Sequence, residues 1–249
     1  MEWVSTGVAI VVLAGISAGA LALSGTRRPW APLTAVARAA LQLAALSLVL
    51  AGILADPLWV GVGLGVMFLA AVWTVARRTR AAASRAVMIG VAMLAGNVVT
   101  TGLVFASGAV EFSPRYVLAV GGIVIGNTMS IATLTTRGFT ASVRDHWDEV
   151  EGWLALGATP LISTRWLARE SVYSALVPTI DQTRTTGIVV LPGAFVGAIF
   201  GGASPLEAGR FQVIVLASIL AAGAITATVL VRIIGGIAKK PLPEVGAAK

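Results

Sequence analysis

Seven stretches of about 20 mostly apolar residues recur along this chain of 249 residues. A helix of that length is about 30 Å long and can cross the hydrocarbon core of a bilayer. Only 12% of the residues are charged, against about 25% in an ordinary soluble domain. We therefore predict an all-α, polytopic membrane protein with one transmembrane domain over residues 1–249. The predicted spans are 3–23, 33–55, 58–76, 86–107, 116–136, 185–203 and 211–234.

The basic residues predict the orientation of these spans. If the N-terminus is outside and the spans alternate, 15 of the 18 Lys and Arg residues fall on the inner side, including Lys249. Arg115 and Arg210 fall outside, and Arg38 lies within the second span. Lys and Arg accumulate in cytoplasmic loops, so we predict an outer N-terminus and a cytoplasmic C-terminus. The net charge of +7 is then a topology signal, and no nucleic-acid partner is expected.

Several residue types are too scarce to support enzymatic chemistry. The chain has no Cys, and its one His is His146. Its three Lys residues all follow the last predicted span, so no P-loop can form. A membrane-embedded enzyme needs a base, a nucleophile or a metal cluster, and little here could build one. We expect no catalytic residue, and the sequence leaves any metal ligands unknown.

The segment 137–184 is the one long stretch between predicted spans. Six of the eleven acidic residues lie in it or beside it. Its apolar residues recur at helical spacing, at Val143, Trp147, Val150 and Leu154. We predict amphipathic helices near the cytoplasmic face, broken near residues 157–160. Such a segment suits either a cytosolic partner or a helix that lies on the membrane surface.

Several motifs resemble a known permease family. Glu151 is followed six residues later by Gly157, which resembles the coupling loop of ABC-transporter permeases. A wider set of motifs is similar to the FetB-like permease family, which includes bacterial permeases assigned to iron export and plant proteins linked to aluminium tolerance. These motifs are LALGAT at 154–159, ALVPTID at 175–181, GIVVLPG at 187–193, SPLEA at 204–208, GIVIGNTM at 122–129, and Arg38 with Gln42.

The resemblance implies a transport subunit rather than a complete machine. Two copies would pair in a bacterial inner membrane, and each would bind a cytosolic ABC ATPase that carries the ATP; this chain would bind no cofactor. The expected ATPase-coupling residues are Glu149, Glu151, Trp153 and Gly157. The expected cargo is a metal cation, with iron first. Relatives often carry Met-Met-Thr-Gly-Gln after the LPG motif, whereas residues 194–198 here are Ala-Phe-Val-Gly-Ala, which lack those thioether and amide groups.

Polar residues inside the predicted spans are candidates for the substrate pathway. They are Arg38, Gln42, Asn97, Asn127 and Thr128, joined by Asp181 before the sixth span. Each also has a structural alternative. Arg38 can snorkel to the interface, Asn and Thr can hydrogen-bond between or within helices, and Asp181 can cap a helix or pair with Arg184.

Glycines at intervals of four residues predict close helix packing. Gly193, Gly197 and Gly201 share one face of the sixth predicted span. A stand-alone secondary transporter is the main alternative to an ABC permease. It would need a carboxylate inside the membrane, and all eleven acids lie outside the predicted apolar centres. A seven-span receptor matches only in the number of spans.

Overall fold

The computed structural model describes residues 2–241, and nearly all of that range is helical. Within it, β-structure is limited to an isolated bridge between Thr186 and Val190. Six helices are long and apolar enough to cross a membrane, which confirms the predicted all-α polytopic class. The helices are α1 (Glu2–Leu23), α2 (Ala31–Ala55), α3 (Pro57–Arg78), α4 (Ala83–Ala106), α5 (Pro114–Asp145), α6 (Trp147–Ala155), α7 (Pro160–Ser163), α8 (Arg165–Thr185), α9 (Gly193–Phe200) and α10 (Pro205–Ile234).

The chain divides into two compact units, residues 1–59 and 60–249, rather than the single domain that we predicted. In the first unit, α1 and α2 pack against each other. Ala14 and Ala18, one turn apart on α1, are buried. The second unit holds the remaining helices from Val60 onward. Lys249 and the other residues after 241 lie outside the described part of the chain.

Proline sets the start of the long helices. Pro57, Pro114 and Pro205 each occupy the first turn of a helix, where the missing backbone N–H costs nothing. α10 also has a capping box, in which the Ser204 hydroxyl accepts a hydrogen bond from the Glu207 backbone N–H at 3.3 Å. The helices α1 to α5 and α10 coincide with six of the seven predicted spans, although α5 and α10 are longer.

α10 is the central helix of the second unit and packs against α4, α5, α8 and α9. Its closest approach is to Gly96 of α4, where an added Cβ would lie 2.5 Å from the carbonyl oxygen of Ala222. A Cβ on Gly223 would similarly collide with the side chain of Ile131 on α5. In a bilayer, small residues of this kind let helix backbones approach closely. The core is therefore organised around glycines that differ from those we predicted.

Residues 185–203 do not form the single spanning helix that we predicted. α8 ends at Thr185, residues 186–192 form a turn, and α9 has only eight residues. Eight residues make a helix about 12 Å long, far less than the thickness of the hydrocarbon core. The break has local causes. Gly187 has a φ of +87°, and Pro192 cannot donate a backbone hydrogen bond.

We predicted 137–184 as a segment apart from the spans, but α8 packs along two of the candidate spanning helices, α5 and α10. Ala175 is buried in a cluster with Ile131 of α5 and Ala227 of α10. α8 therefore lies inside the helical bundle of the second unit. Its charged residues lower its hydropathy, which is why the sequence pattern did not reveal it.

α8 and α9 together follow α10 in the opposite direction. At one end, the Thr164 hydroxyl just before α8 donates a 2.8 Å hydrogen bond to the carbonyl oxygen of Gly235. Leu176, midway along α8, points at Gly223. At the other end, Phe195 of α9 lies against Gly209 near the start of α10. The two helices thus form one discontinuous run along α10, interrupted at 186–192.

Candidate functional site

α5 continues well beyond residue 136, where we predicted the fifth span to end. Arg137 Nη2 donates a 2.6 Å hydrogen bond to the carbonyl oxygen of Arg78 at the end of α3. From Arg137, α5 runs on to Asp145, a distance of about 12 Å. The α6–α7 tip, defined as residues 147–163, therefore stands about 12 Å beyond this pair of arginines.

The α6–α7 tip is anchored by its own small core. Val150 of α6 is fully buried against Phe139 and Val143 of α5 and Leu167 of α8. Beside this core, the ring of the exposed His146 packs edge-on against Trp166, with 5.1 Å between ring centroids. The tip is thus packed onto the ends of α5 and α8, so a force applied to it reaches both helices.

The outer surface of the tip is apolar with an acidic border. Four large apolar side chains are exposed there, and we name them the apolar tip patch: Trp153, Leu156, Leu161 and Ile162. The carboxylates of Asp148, Glu149 and Glu151 are exposed on the same short helix as Trp153. Exposed apolar side chains grouped in this way, with a charged rim, are typical of an interaction surface.

The turn between α6 and α7 lies where the sequence predicted a break. α6 ends at Ala155, α7 begins at Pro160, and Gly157 between them has a φ of +89°. That conformation favours glycine because a Cβ would be strained there. All four predicted coupling residues, Glu149, Glu151, Trp153 and Gly157, therefore lie on the exposed part of the tip.

Asn97 and Thr128 occupy the interior of the second unit and contact each other. Asn97 Nδ2 donates a 2.9 Å hydrogen bond to Thr128 Oγ1 and a 2.7 Å hydrogen bond to the carbonyl oxygen of Met93. Thr128 in turn donates to carbonyl oxygens of its own helix. This geometry favours the structural alternative for both residues, because their polar groups join α4 to α5.

Asn127, next to Thr128, lies about 100° further around α5. It is half-buried and donates a 2.8 Å hydrogen bond to the carbonyl oxygen of Ile123 in its own helix. Ser130 is exposed on the same side. The structure therefore separates two neighbouring candidates, Thr128 facing the bundle interior and Asn127 facing outward.

Asp181 lies on α8, outside the packed stripe that carries Ala175. Its carboxylate is 3.5 Å from the guanidinium of Arg184, and the two side chains are 59% and 71% exposed. An ion pair that is this exposed contributes little to stability. The Thr185 hydroxyl, one turn later, donates to the Asp181 carbonyl oxygen at 2.9 Å. The carboxylate itself is free to meet a ligand.

Arg38 and Gln42 belong to α2 in the first unit. They are one turn apart, and both side chains are exposed. Within residues 2–241, no group of three or more His, Cys, Asp or Glu side chains converges on a point. A metal site of the usual protein type is therefore not present in the described part of a single chain.

An apolar groove of about 630 Å³ opens between α3, α4 and α5. Leu64, Phe68 and Phe105 contribute to its lining, whereas Asn97 and Thr101 supply the polar side chains. A groove of this composition suits an acyl chain better than a hydrated ion. We therefore do not place a cation path there.

Comparison with known proteins identifies the family. The sequence matches the family described as "Uncharacterised protein family (UPF0014)" over residues 4–236. The chain belongs to this family. The match confirms the resemblance drawn from the LALGAT, ALVPTID and SPLEA motifs. No solved structure matches this UPF0014 chain.

The curated UPF0014 relatives are plant and bacterial membrane proteins. The chain is 36% identical to "UPF0014 membrane protein STAR2" of Oryza sativa subsp. japonica over 87% of its own length and 78% of the relative. It is 32% identical to "Protein ALUMINUM SENSITIVE 3" of Arabidopsis thaliana over 77% and 71%. It is 31% identical to "Probable iron export permease protein FetB" of Escherichia coli (strain K12) over 63% and 60%.

The predicted packing glycines of this UPF0014 chain have open space beside them within a single chain. A Cβ added to Gly193 or Gly197 would meet no atom within 4 Å, and one on Gly201 would meet only carbonyl oxygens of α9. Sequence reasoning missed Gly96 and Gly223, which have no G-x-x-x-G partner. It also missed Leu156, Leu161 and Ile162 of the apolar tip patch. Their signal was the grouping of leucine and isoleucine around Gly157 and Pro160, between two short helices.

Proposed function

We propose that this chain is the transmembrane permease subunit of an ABC transporter that exports a metal cation. Two copies would form the membrane part, and each would bind a separate cytosolic ATPase through its α6–α7 tip. ATP would be bound by that partner, and this chain would need no cofactor. The names of the relatives, above all the probable iron export permease, support a transport role and make iron the first cargo to test.

The observation that carries this proposal is the exposed apolar tip patch. Burial of Trp153 and Leu156 against a groove of a soluble protein would remove apolar surface from water. Glu149 and Glu151 at the rim would then contribute orientation and partner choice rather than most of the affinity. Since Val150 fixes the tip to α5 and α8, movement of the bound ATPase would be transmitted to those helices.

The distance of the tip from the spans disfavours the surface-lying alternative. A helix in the membrane interface buries its apolar face about 5–10 Å deep at the headgroup boundary. Here α5 carries the tip about 12 Å beyond Arg137, which is the basic residue expected at that boundary. The acidic rim would also be repelled by anionic lipids.

The arrangement of α8 and α9 supports a seventh crossing of an unusual kind. Together they run antiparallel to α10 from Gly235 to Gly209. A discontinuous crossing would keep the predicted outer N-terminus and cytoplasmic C-terminus in a bacterial inner membrane. The α6–α7 tip would then lie in the cytoplasm, where an ATPase could reach it.

Asp181 is the residue that we assign first to the cation path, followed by Asn127 of α5, the helix that packs against α8. Carboxylate and amide oxygens can replace water around a cation. Asn97 and Thr128 are better explained by their mutual hydrogen bond. Arg38 and Gln42 remain candidates, because both are exposed polar residues on a predicted spanning helix.

The docking proposal can be tested by site-specific photo-crosslinking in membranes of cells that make the full chain. Benzoyl-phenylalanine replaces Leu156 on the tip or, as a control, Leu206 at the opposite end of the bundle. Both side chains are 84% exposed. We expect an ABC ATPase subunit, identified by mass spectrometry from its ATP-binding cassette, to be captured from Leu156 alone. Capture from neither position, or equally from both, would contradict the proposal.

A stand-alone secondary transporter is a second candidate, and one observation favours it. Asp181 lies on α8, which packs against α5 and α10, so the chain has a carboxylate on the surface of its bundle rather than in a loop apart from it. Purified chain in proteoliposomes distinguishes the two. We expect Fe²⁺ transport only with the co-reconstituted ATPase and ATP. Transport driven by a pH gradient without the ATPase would support the secondary transporter.

A further inference from the structure

The register of the helices places Asp181 far from both ends of the predicted fifth span. Leu176 of α8 and Ile131 of α5 converge on Gly223 of α10, which sets the register between the helices. Asp181 is about 7 Å further along α8. That places it level with Gly126, midway along α5 between Arg115 and Arg137. An exposed carboxylate at this depth cannot face acyl chains without a large penalty.

The backbone beyond Asp181 is also unsuited to lipid contact. Pro178 inside α8 cannot donate to the Ser174 carbonyl oxygen, which loses its helical partner. At residues 186–192 the chain is not helical, and three backbone N–H groups share the single carbonyl oxygen of Thr185. Non-helical backbone at membrane depth is tolerated only where protein covers it or it lines a water-filled cavity.

The surface of α5 next to α8 also carries small and polar residues. Gly126, Ser130 and Leu134 are exposed one turn apart, and Asn127 is half-buried among them. We name this surface, together with the outward side of α8 around Ser174 and Asp181, the seam face. α5 and α8 are packed neighbours, and both turn these residues away from the buried core.

We propose that the seam face is where a second copy of this chain docks, with the substrate path enclosed between the two copies. The face is self-complementary in charge, because it carries both Asp181 and Arg184. A two-fold axis would bring the Asp181–Arg184 pairs of the two copies towards each other, so that neither charge faces acyl chains. Gly193 and Gly197 of α9, which have open space beside them, would allow close backbone approach near the same break.

If two copies dock at the seam face, residues of both chains would line the substrate path. A single chain brings one carboxylate to this depth, and its described residues contain no cluster of metal-ligating side chains. Pairing would place two Asp181 carboxylates and two Asn127 amides around one water-filled passage. This step rests on the proposed function, whereas the docking of two copies on this face does not.

The natural absence of cysteine makes the seam directly testable. Each single-cysteine variant reports on one position, and a disulfide can form only between two copies. Ser130→Cys and Leu134→Cys lie on the seam face. Leu94→Cys is the matched control on α4, since Leu134 is 45% and Leu94 is 49% exposed. Membranes from cells that lack the ATPase are treated with copper phenanthroline, and separately with a short bis-maleimide, before non-reducing electrophoresis.

We expect the seam variants to run as crosslinked dimers and the Leu94→Cys variant to remain monomeric. No dimer from either seam variant with either reagent, or equal dimer from Leu94→Cys, would overturn the assignment. Since no transport or ATP hydrolysis is measured, the outcome is independent of the ATPase proposal. If the seam variants crosslink but no ATPase is captured at Leu156, the dimer proposal stands and the proposed ABC function is contradicted.

Discussion

Gly96 of α4 lies so close to Thr226 of α10 that a Cβ on Gly96 would overlap the Thr226 hydroxyl. The Thr226 oxygen is buried, and it is left without a conventional hydrogen-bond partner. The Cα–H group of Gly96 is the donor that this approach offers, through a weak C–H···O contact of the kind found between closely packed helices. This contact sets the separation of α4 and α10.

Replacement of Gly96 by alanine should therefore destabilise the second unit. The added methyl meets the Ala222 backbone, which cannot move without shifting a helix, and overpacking of this kind costs about 1–3 kcal/mol. Gly102→Ala on the same helix is the control, because a Cβ there has open space. Thermal unfolding in mild detergent should show a lower Tm for Gly96→Ala than for the parent protein, and an unchanged Tm for Gly102→Ala. Equal Tm values would refute the close approach.

The Asn97–Thr128 hydrogen bond predicts a smaller effect. Thr128→Val keeps the side-chain shape but leaves one Asn97 N–H without its acceptor. Interhelical hydrogen bonds in membranes average about 0.6 kcal/mol, with a maximum near 1.7. Ser130→Ala is the control, since its exposed hydroxyl makes only a 3.4 Å contact within α5. Unfolding in detergent should separate the two variants. A Thr128→Val protein as stable as the parent would argue for a role in transport instead.

Gly157→Ala should weaken attachment of the ATPase while the bundle stays folded. The left-handed backbone at φ +89° costs a residue with a Cβ about 1–2 kcal/mol, so the turn that presents Leu156 would relax. Gly152→Ala within α6 is the control, because that position is helical and open. Co-purification of the ATPase is the measurement. Undiminished recovery with Gly157→Ala would show that the turn is not part of the docking surface.

Asp181→Asn should lower cation export about tenfold or more, since it removes the carboxylate that we assign first to the proposed cation path. Stability should change little, because the Arg184 pair is long and exposed. Glu111→Gln, which removes an exposed carboxylate in the loop between α4 and α5, is the charge-matched control. Export of Fe²⁺ from cells and Tm in detergent are measured together. A variant that loses export and also has a lower Tm would indicate a structural role for Asp181. Unaltered export would show that Asp181 is not part of the cation path.

Several features followed from the sequence because they depend on local chemistry. Six long helices formed where apolar runs were long enough to cross a bilayer. The break at Gly157 and the exposed Trp153 also lay where helical spacing and glycine placed them. These predictions succeeded because hydropathy and turn preference are properties of short stretches of chain.

The packing of α8 within the bundle could not be predicted from the sequence in the same way. Its mean hydropathy is too low for a span, yet Leu167, Ser171 and Ala175 form a narrow stripe that fits between α5 and α10. A window average cannot detect a stripe that narrow. The sequence also did not distinguish Thr128, which is buried, from its neighbour Asn127, which is only half-buried.

The sequence alone determined that this chain is a bundle of membrane helices with an acidic, tryptophan-bearing amphipathic segment, because the transfer of apolar side chains from water depends on composition. Only the tertiary structure decided that Gly96 and Gly223 allow helices to meet within one chain, and that Asp181 lies on a helix packed against α5 and α10. Those outcomes depend on which neighbour each side chain faces. Contacts between distant segments set that relationship, and no local pattern records it.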